Sequence, residues 1–268
     1  KNPGLSYSIE VTGGDGMHVW VNQQDPNIQM GSYVYNQYRR SINGGATWSS
    51  NNISGSAGMF VNPYAIDDAQ NILYACHNAN TLLRWPNINT ATASTTVTLT
   101  ALNGAQIGSL KVSPYTTNRL FVGTSGGRVV RIDNANAAAP TATNITGAGM
   151  PTGFVRSINV GSSENNLVAT YSNFGVAQVW VTTDGGTNWT NIDGNLPDMP
   201  VWWALYDPAN NNKLYLGTET GVWATDQING ASTVWLPDPG IPTTRIAMLR
   251  MRSSDNTVVA STYGRGLW

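Results

Sequence analysis

A short string recurs six times along this chain of 268 residues. Each copy begins with an apolar residue, continues with β-forming residues and then reaches Gly or Thr. The copies read NIQMGSY, NILYACH, RLFVGTS, NLVATYS, KLYLGTE and TVVASTY. Aligned on their second residue, they are anchored at Ile28, Ile72, Leu120, Leu167, Leu214 and Val258. The 230 residues from the first anchor to the last divide into five intervals with a mean of 46.

Each repeat contains about four short strand-like runs, and no segment has a helical period. The first run of each repeat falls at 17–21, 59–66, 108–112, 155–160, 201–206 and 245–251. Turns rich in Gly, Asn or Pro separate the runs. A repeat of about 40 to 50 residues with four strands is the signature of a β-propeller blade. We therefore predict an all-β fold: one domain over residues 1–268, a single β-propeller of six four-stranded blades.

The end of the chain bears on how such a ring closes. The sixth repeat stops at Trp268 before its outer strand, and residues 5–11 fit the missing position. They precede the first-strand run at Met17 by 12 residues, as Asn188 precedes the run at Pro200. This spacing predicts closure by the N-terminal strand, which removes open sheet edges. The second interpretation is that the chain is part of a seven- or eight-bladed propeller.

Charged side chains are scarce. The sequence has 14 Lys and Arg against 15 Asp and Glu, a formal net charge of −1 at pH 7. This balance creates no field that attracts nucleic acid or anionic lipid, so we expect no nucleic-acid partner. No apolar run is long enough to span a bilayer, so we expect no membrane insertion. A neutral surface rich in Asn, Gly, Ser and Thr is typical of an extracellular protein.

Metal and disulfide chemistry find little support in the sequence. Cys76 is the sole cysteine, which excludes an intrachain disulfide and a cysteine zinc cluster. It lies in the apolar run ILYAC, which predicts a buried thiol. The two histidines, His18 and His77, fall in different repeats, and no metal or phosphate-loop motif is present. We therefore predict no metal site and no cofactor.

Two repeats carry a distinctive turn between their third and outer strands. One reads SINGGATW from Ser41 and the other TTDGGTNW from Thr182, 141 residues later. These turns resemble the Asp-box, or BNR repeat, Ser-x-Asp-x-Gly-x-Thr-Trp, of sialidases, sortilin-type receptors and xyloglucan-cleaving enzymes. The resemblance implies a structural turn in which the Asp or Asn caps backbone N–H groups and the Trp packs between sheets. The residues matched to the box are Ser41, Asn43, Gly45, Trp48, Asp184, Gly186 and Trp189.

A broader resemblance covers nearly the whole chain. The stretch from Gly13 to Trp48 and the terminal STYGRGLW are similar to segments of large secreted Bacteroidetes-type propeller proteins. Such proteins often continue into adhesion-like modules and a sorting domain of type IX secretion. The resemblance implies an extracellular or cell-surface location, and a chain that belongs to a larger protein or assembly. It assigns no activity.

The functional rim of a propeller is usually built from the loops before the inner strands and from the second-to-third-strand hairpins. Aromatic, amide and charged residues in those loops suit carbohydrate binding, because ring faces stack on sugars while amides and charges bond hydroxyls. The alternative is that the tryptophans pack between blades. The predicted binding residues are Tyr35, Tyr171, Trp202, Trp203, Tyr263 and Arg265.

A catalytic alternative rests on the few carboxylates of this rim. A glycoside hydrolase needs two carboxyl groups about 5–5.5 Å apart for retention or about 6.5–9.5 Å apart for inversion. Asp15 and Glu219 would be that pair, with Asp198 as another partner. The ordinary reading of Asp15 and Glu219 is as turn residues.

Three functions therefore stay open. The first is a non-enzymatic extracellular binding or scaffold module that contacts polysaccharide or a surface protein, which the low number of rim carboxylates favours. The second is a glycoside hydrolase acting on polysaccharide. The third is a purely structural unit of a surface adhesin or filament.

Overall fold

A computed structural model describes residues 10–11, 13–252 and 254–268 of the chain. These residues contain 23 short β-strands and two 3₁₀ helices, Thr100–Leu102 and Gly230–Ser232. The strands form six antiparallel sheets that follow one another along the chain. The prediction of an all-β chain with six blade-like sheets is confirmed.

Each of the first two sheets has four strands, hydrogen-bonded in chain order. The first contains β1 (Val19–Val21), β2 (Gln29–Ser32), β3 (Gln37–Ser41) and β4 (Ser49–Asn52). The second contains β5 (Tyr64–Asp67), β6 (Ile72–Cys76), β7 (Thr81–Trp85) and β8 (Thr95–Thr98). Strand β5 is shorter than the predicted run 59–66, because Pro63 lacks the N–H that a ladder requires.

The next three sheets repeat this order. The third contains β9 (Ile107–Val112), β10 (Leu120–Thr124), β11 (Val129–Asp133) and β12 (Thr141–Asn144). The fourth contains β13 (Val155–Val160), β14 (Leu167–Tyr171), β15 (Val179–Thr182) and β16 (Thr190–Asn191). The fifth contains β17 (Val201–Asp207), β18 (Asn210–Thr218), β19 (Gly221–Thr225) and β20 (Leu236–Pro237).

The sixth sheet has three strands among the described residues. These are β21 (Ile246–Arg252), β22 (Thr257–Thr262) and β23 (Gly266–Leu267). Of the outer strand predicted at 5–11, residues 5–9 lie outside the described part of the chain, and Glu10 and Val11 are not in a strand. Closure by the N-terminal strand therefore stays a prediction.

The chain divides into two compact units. One comprises Lys1–Asn78 and Leu82–Thr96, and the other comprises Ala79–Thr81 and Val97–Trp268. The first unit holds the first sheet and most of the second, and the second unit holds the four remaining sheets. The four inner strands that matter for the candidate site, β9, β13, β17 and β21, all belong to the second unit.

The core of the second unit lies between successive sheets. Phe121 and Ile145 of the third repeat pack with Val155, Leu167 and Trp189 of the fourth. Equivalent clusters join the fourth repeat to the fifth and the fifth to the sixth. Burial of each large apolar side chain stabilises the fold by about 1.5–3 kcal/mol, so the sheets are held mainly through these faces.

The first unit has a core of the same kind. Met30 and Tyr38 of the first sheet pack with Leu73, Leu83 and Trp85 of the second. The rings of Tyr38 and Trp85 lie 6.0 Å apart between centroids. Cys76 is buried in β6, as its apolar run predicts.

The recurring string forms the second strand of each sheet, and its glycines have a packing role. A Cβ atom on Gly123 would lie 2.4 Å from Cγ1 of Val155 in the next inner strand. A Cβ atom on Gly217 would lie 3.0 Å from the carbonyl oxygen of Ile246, again in the next inner strand. Glycine is therefore required at these two positions because the neighbouring sheet approaches so closely.

The threonine that follows each of these glycines closes a hairpin. The hydroxyl of Thr218 donates a 2.8 Å hydrogen bond to the carbonyl of Gly221. The hydroxyl of Thr124 accepts a 2.8 Å hydrogen bond from the backbone N–H of Arg128. The Gly-Thr end of the string thus joins close sheet packing to a tight turn, which explains why it recurs with the period of the sheets.

Candidate functional site

The four inner strands of the second unit share one irregularity. Each pairs with its second strand through a register that skips a single residue near its N-terminal end. A β-bulge of this kind leaves one residue outside the ladder and re-aims its side chain, and bulges are frequent beside functional sites. The four skipped residues are Gly108, Arg156, Trp202 and Ala247.

Trp202, the skipped residue of β17, lies at the centre of the candidate site. The guanidinium carbon of Arg245 lies 4.4 Å from the centre of the indole ring, and that of Arg156 lies 5.4 Å from it. A cation over an aromatic face is attracted by about 0.5–1 kcal/mol at exposed sites and about 2 kcal/mol when it is desolvated. One tryptophan is thus contacted by cations from both neighbouring repeats.

Glu219 ties this arrangement together from the β18–β19 hairpin. Its Oε2 accepts a 2.8 Å hydrogen bond from Nε1 of Trp202. Arg245 donates from Nε at 3.0 Å to Oε2 and from Nη2 at 3.1 Å to Oε1, which is a two-pronged ion pair. The hydrogen bonds from Arg245, more than the one from Trp202, hold the pKa of the Glu219 carboxyl below its usual value. Glu219 is therefore an ionised, oriented group at neutral pH.

Two further aromatic rings flank the arginines. The Tyr263 ring centre lies 5.5 Å from the guanidinium carbon of Arg245, and Tyr263 is 72% exposed. At the other end, the Phe154 ring centre lies 5.8 Å from the guanidinium carbon of Arg156. We call Phe154, Arg156, Trp202, Arg245 and Tyr263 the arginine–aromatic row. It draws side chains from three successive repeats and alternates aromatic faces with positive charge.

The row is rich in positive charge. Burial, and then the positive charge of Arg245, lower the pKa of Arg156. Further along the inner strands, the guanidinium carbon of Arg250 lies 5.4 Å from the ring centre of Trp203. Burial, and then the charge of Arg250, lower the pKa of Lys111 in β9 to about 8. These shifts show cations that lie near other cations and partly away from water.

The predicted binding residues fall in different environments. Trp202 and Tyr263 belong to the row, and Trp203 packs beneath them against the core of the fifth and sixth repeats. Tyr171 is fully buried and its hydroxyl donates a 2.9 Å hydrogen bond to the carbonyl of Gly127. Burial raises its pKa, so Tyr171 supports the fold and we do not carry it into the proposed site.

The remaining predicted residues lie outside the row. Arg265 is exposed in the last hairpin of the second unit. Tyr35 belongs to the first unit, where it adopts φ 54° and its ring lies 5.9 Å from that of Phe60. Asp15 is exposed in a bend of the first unit, whereas Glu219, its predicted catalytic partner, is in the second.

Asp198, the other predicted carboxylate, is engaged in local structure. It accepts hydrogen bonds from the backbone N–H of Gly175 at 2.8 Å and from Nε2 of Gln178 at 2.7 Å. It lines a shallow groove of about 390 Å³ with Asp193, whose pKa burial raises. Both carboxylates of this groove accept backbone N–H groups, which is the behaviour of loop-fixing residues.

The two box-like turns share one hydrogen-bond pattern. In the first, the Ser41 hydroxyl accepts from the N–H of Gly45 at 2.9 Å, and Oδ1 of Asn43 accepts from the N–H of Thr47 at 2.9 Å. Nε1 of Trp48 donates a 3.0 Å hydrogen bond to the carbonyl of Gly45. The side chain at the third position therefore caps the turn.

In the second turn, Asp184 has the role of the asparagine in the first. Its Oδ1 accepts from the N–H of Asn188 at 2.9 Å, and Gly186 donates to the Thr182 hydroxyl at 3.1 Å. These hydrogen bonds, led by the one from the Asn188 backbone, lower the pKa of Asp184 to about 2. Nε1 of Trp189 donates a 2.7 Å hydrogen bond to the carbonyl of Ile145 in the preceding repeat.

The fifth repeat lacks the box yet makes the same contact between repeats. Trp235 follows Trp189 by 46 residues. Its Nε1 donates a 2.8 Å hydrogen bond to the carbonyl of Ile192 in the preceding repeat. The tryptophan contact therefore does not depend on the box motif, which is consistent with a structural role.

Sequence reasoning missed the two arginines of the row. Arg156 precedes Trp202 by 46 residues, and Arg245 follows it by 43, so a comparison of residues at one phase of the repeat would have found them. The bulge that places Arg156 and Trp202 has no signature in the sequence. Within the described residues no group of three or more His, Cys, Asp or Glu side chains is arranged to hold a metal ion. No helix in that part of the chain is long and apolar enough to cross a membrane.

No protein-family model matches the sequence, and no curated protein matches it. Solved structures do match. The WD40 β-propeller domain of Doa1 aligns with a TM-score of 0.67 at 10% identity, over 94% of this chain and 77% of that chain. YCF48 from Cyanidioschyzon merolae aligns with a TM-score of 0.59 at 14% identity, over 94% of this chain and 80% of that chain.

Identities this low show the fold alone. A fold is shared by many functions, so the site has to carry any argument about activity. The chain is a six-bladed β-propeller, a fold that suggests a binding or scaffold module.

Proposed function

We propose that this protein is a non-enzymatic binding module of an extracellular or cell-surface protein, and that the arginine–aromatic row contacts a polysaccharide. The observation that carries the proposal is the position of Trp202, which holds two guanidinium groups near its ring and donates to Glu219. The side chains of the site hold one another in place before any ligand arrives, which lowers the entropy lost on binding.

The chemistry of the row suits a sugar. Tyr263 is 72% exposed and presents an aromatic ring beside Arg245, whose side chain is 39% exposed. Aromatic faces stack on the C–H surface of a pyranose, while guanidinium and carboxylate groups bond its hydroxyls. An exposed aromatic ring with fixed charged groups beside it is therefore a reasonable carbohydrate platform.

The state of Glu219 supports a non-enzymatic function. A glycosidase acid must carry a proton near neutral pH, which usually requires a raised pKa. The pKa of Glu219 is lowered, mainly by the hydrogen bonds from Arg245, and both carboxylate oxygens are engaged. Glu219 is thus suited to hold Arg245 and Trp202 in place, and unsuited to donate a proton.

An extracellular location is supported by composition and by the two capped turns. The chain has a net charge of −1, and its polar residues are mostly uncharged. The turns at Ser41 and Thr182 follow the hydrogen-bond pattern expected of an Asp-box. We therefore place the protein among Asp-box propellers of the secreted Bacteroidetes type that use type IX secretion, as part of this proposal.

The test is a polysaccharide and glycan panel on the purified protein, with release of reducing ends assayed on every ligand that binds. We expect binding without release. Trp202→Leu and Tyr263→Ala should weaken binding, and Tyr115→Ala should not. Tyr115 is a suitable control because it is 53% exposed and lies in the β9–β10 loop, at the other end of the strands.

Two results would overturn the proposal. Release of reducing ends that disappears in Glu219→Gln would establish a glycoside hydrolase. Absence of binding to every glycan of the panel would favour a structural unit or a protein-binding module.

A further inference from the structure

We infer that Arg156 is an oxyanion receptor and that the polysaccharide bound by the row is acidic, bearing carboxylate or sulfate groups. This inference rests on the proposed function, because it names the class of ligand for the same site. It is carried by the charges that surround Trp202, taken one at a time below.

Arg156 differs from the other arginines of the second unit in its partners. Four of those arginines form salt bridges with carboxylates: Arg119, Arg131, Arg245 and Arg252. Among the described residues, no carboxylate lies within 4.0 Å of Arg156, and its contacts are the rings of Phe154 and Trp202. Aromatic contacts occupy the faces of a guanidinium and leave its N–H groups available in the plane.

The surroundings of Arg156 increase its attraction for an anion. It is partly buried, and the positive charge of Arg245 acts on it, so its charged form is less stable than in water. An incoming oxyanion relieves both costs, since it supplies a counter-charge and hydrogen bonds together. The planar guanidinium matches the two oxygens of a carboxylate or sulfate.

The inner strands add to this field. Strands β9, β13, β17 and β21 carry Lys111, Arg156, Arg250 and Arg252 against one acidic residue, Asp207. Arg252 is paired with Asp255, which still leaves an excess of positive charge on these strands. A field of one sign over a binding surface attracts ligands of the opposite sign. This local excess stands against a whole-chain charge of −1, so it is a property of the site.

The first experiment isolates the charge of the ligand. Isothermal titration compares an oligogalacturonate with the same oligosaccharide fully methyl-esterified, and a sulfated galactan oligosaccharide with its desulfated form. Within each pair the sugar rings are the same and only the anion is removed. We expect the charged member to bind at least about tenfold more tightly, because charge-assisted hydrogen bonds contribute about 1.5–3 kcal/mol. The two pairs separate a carboxylate preference from a sulfate preference.

The second experiment isolates Arg156. Arg156→Gln should reduce the preference for the charged member to about twofold or less, and Arg156→Lys should retain only part of it, because lysine lacks the planar fork. Arg131→Gln is the matched control, since it removes the same charge from β11 in the same unit. Circular dichroism and thermal unfolding establish that each variant is folded.

The third experiment needs no glycan. The Nε–Hε NMR resonance of Arg156, assigned by its loss in Arg156→Gln, is followed during titration with sodium sulfate or sodium acetate at constant ionic strength. A saturable shift supports the receptor. Absence of a shift overturns the inference whatever the panel shows, as does equal affinity for charged and neutral members of both pairs. If the resonance shifts but no glycan binds, the proposed polysaccharide function fails and the receptor stands.

Discussion

The guanidinium carbon of Arg245 lies 4.4 Å from the centre of the Trp202 ring, and both side chains bond the same carboxylate, that of Glu219. Three side chains from two repeats therefore fix one another's position. Such mutual support is a requirement for a binding surface that keeps its shape without ligand.

The first prediction concerns Trp202. Trp202→Leu removes the ring that Arg156 and Arg245 contact, and we expect at least a tenfold loss of ligand affinity, since stacking and cation–π contacts contribute about 1–3 kcal/mol. Trp202→Phe keeps an aromatic face but loses the N–H donated to Glu219, so its affinity should fall between those of the other two proteins. Titration calorimetry on all three measures the order. Equal affinity of the leucine variant and the wild type would contradict the role of the ring.

The second prediction concerns Glu219→Gln. The folded-state pKa of Glu219 is lowered, so its ion pair stabilises the protein above the unfolded-state pKa of about 4.3 and is lost as pH falls through the folded-state value. We expect the variant to lose no more than about 1 kcal/mol at pH 7, because solvent screens a pair this exposed. The difference in unfolding free energy between wild type and variant should shrink below about pH 4.3. Urea unfolding at pH 7 and pH 3 measures it, and a difference that grows at pH 3 would refute the assignment.

The regular parts of the fold are predictable because they depend on local rules. Alternation of apolar residues, hairpin turns and a period of 46 residues define six sheets, and the inner strands β13 and β17 begin at the predicted residues. The outer strand predicted at 232–236 is an exception. Ser232 ends a 3₁₀ turn and the strand is Leu236–Pro237, because Asn195 takes up the backbone N–H of Trp235.

The candidate site is less predictable, because it depends on contacts between repeats. The hairpin position of Glu219 follows from its TETG turn, but its partner Arg245 is 26 residues away, and nothing in the local sequence joins the two. The single-residue bulge at Trp202 is likewise set by how the strands pair. Trp202 and Trp203 therefore do not follow the simple alternation that a regular strand would impose.

The third prediction concerns Lys111. Its pKa is about 8 in the folded protein against 10.5 for the ordinary side chain, chiefly because of burial. Between those two values the unfolded chain holds a proton that the folded chain has released, so wild-type stability should rise as pH increases from about 8 to about 10.5. Lys111→Met should remove this rise and be more stable than the wild type at pH 7. Denaturant unfolding from pH 7 to pH 10.5 measures the difference. Lys213→Met is the control, since hydrogen bonding to Asp226 raises the pKa of Lys213.

The fourth prediction concerns Gly123 in the recurring string. The Cβ atom of Gly123→Ala would lie 2.4 Å from Oγ of Ser109 and 2.4 Å from Cγ1 of Val155, so the fourth sheet must shift. We expect a loss of about 1–3 kcal/mol in unfolding free energy, as for other overpacked positions. Gly126→Ala in the same hairpin is the control, because its Cβ atom would meet only Ala105, at 3.4 Å. Similar urea midpoints for the two variants would show that close approach of the sheets does not explain the glycine.

The fifth prediction compares the two capped turns. Asp184 has a folded-state pKa of about 2 against an ordinary value of 3.8, because it accepts hydrogen bonds from Asn188 and Thr182. Its contribution to stability is therefore present above pH 3.8 and is lost as pH falls from 3.8 towards 2. Asp184→Asn, which makes this turn resemble the one that has Asn43, should retain the cap geometry but remove that acid dependence. Asn43→Asp should introduce the same dependence at the first turn. Thermal unfolding from pH 2 to pH 5 on the wild type and the two variants measures these opposite changes, and parallel curves for all three would mean that the carboxylate does not cap the turn.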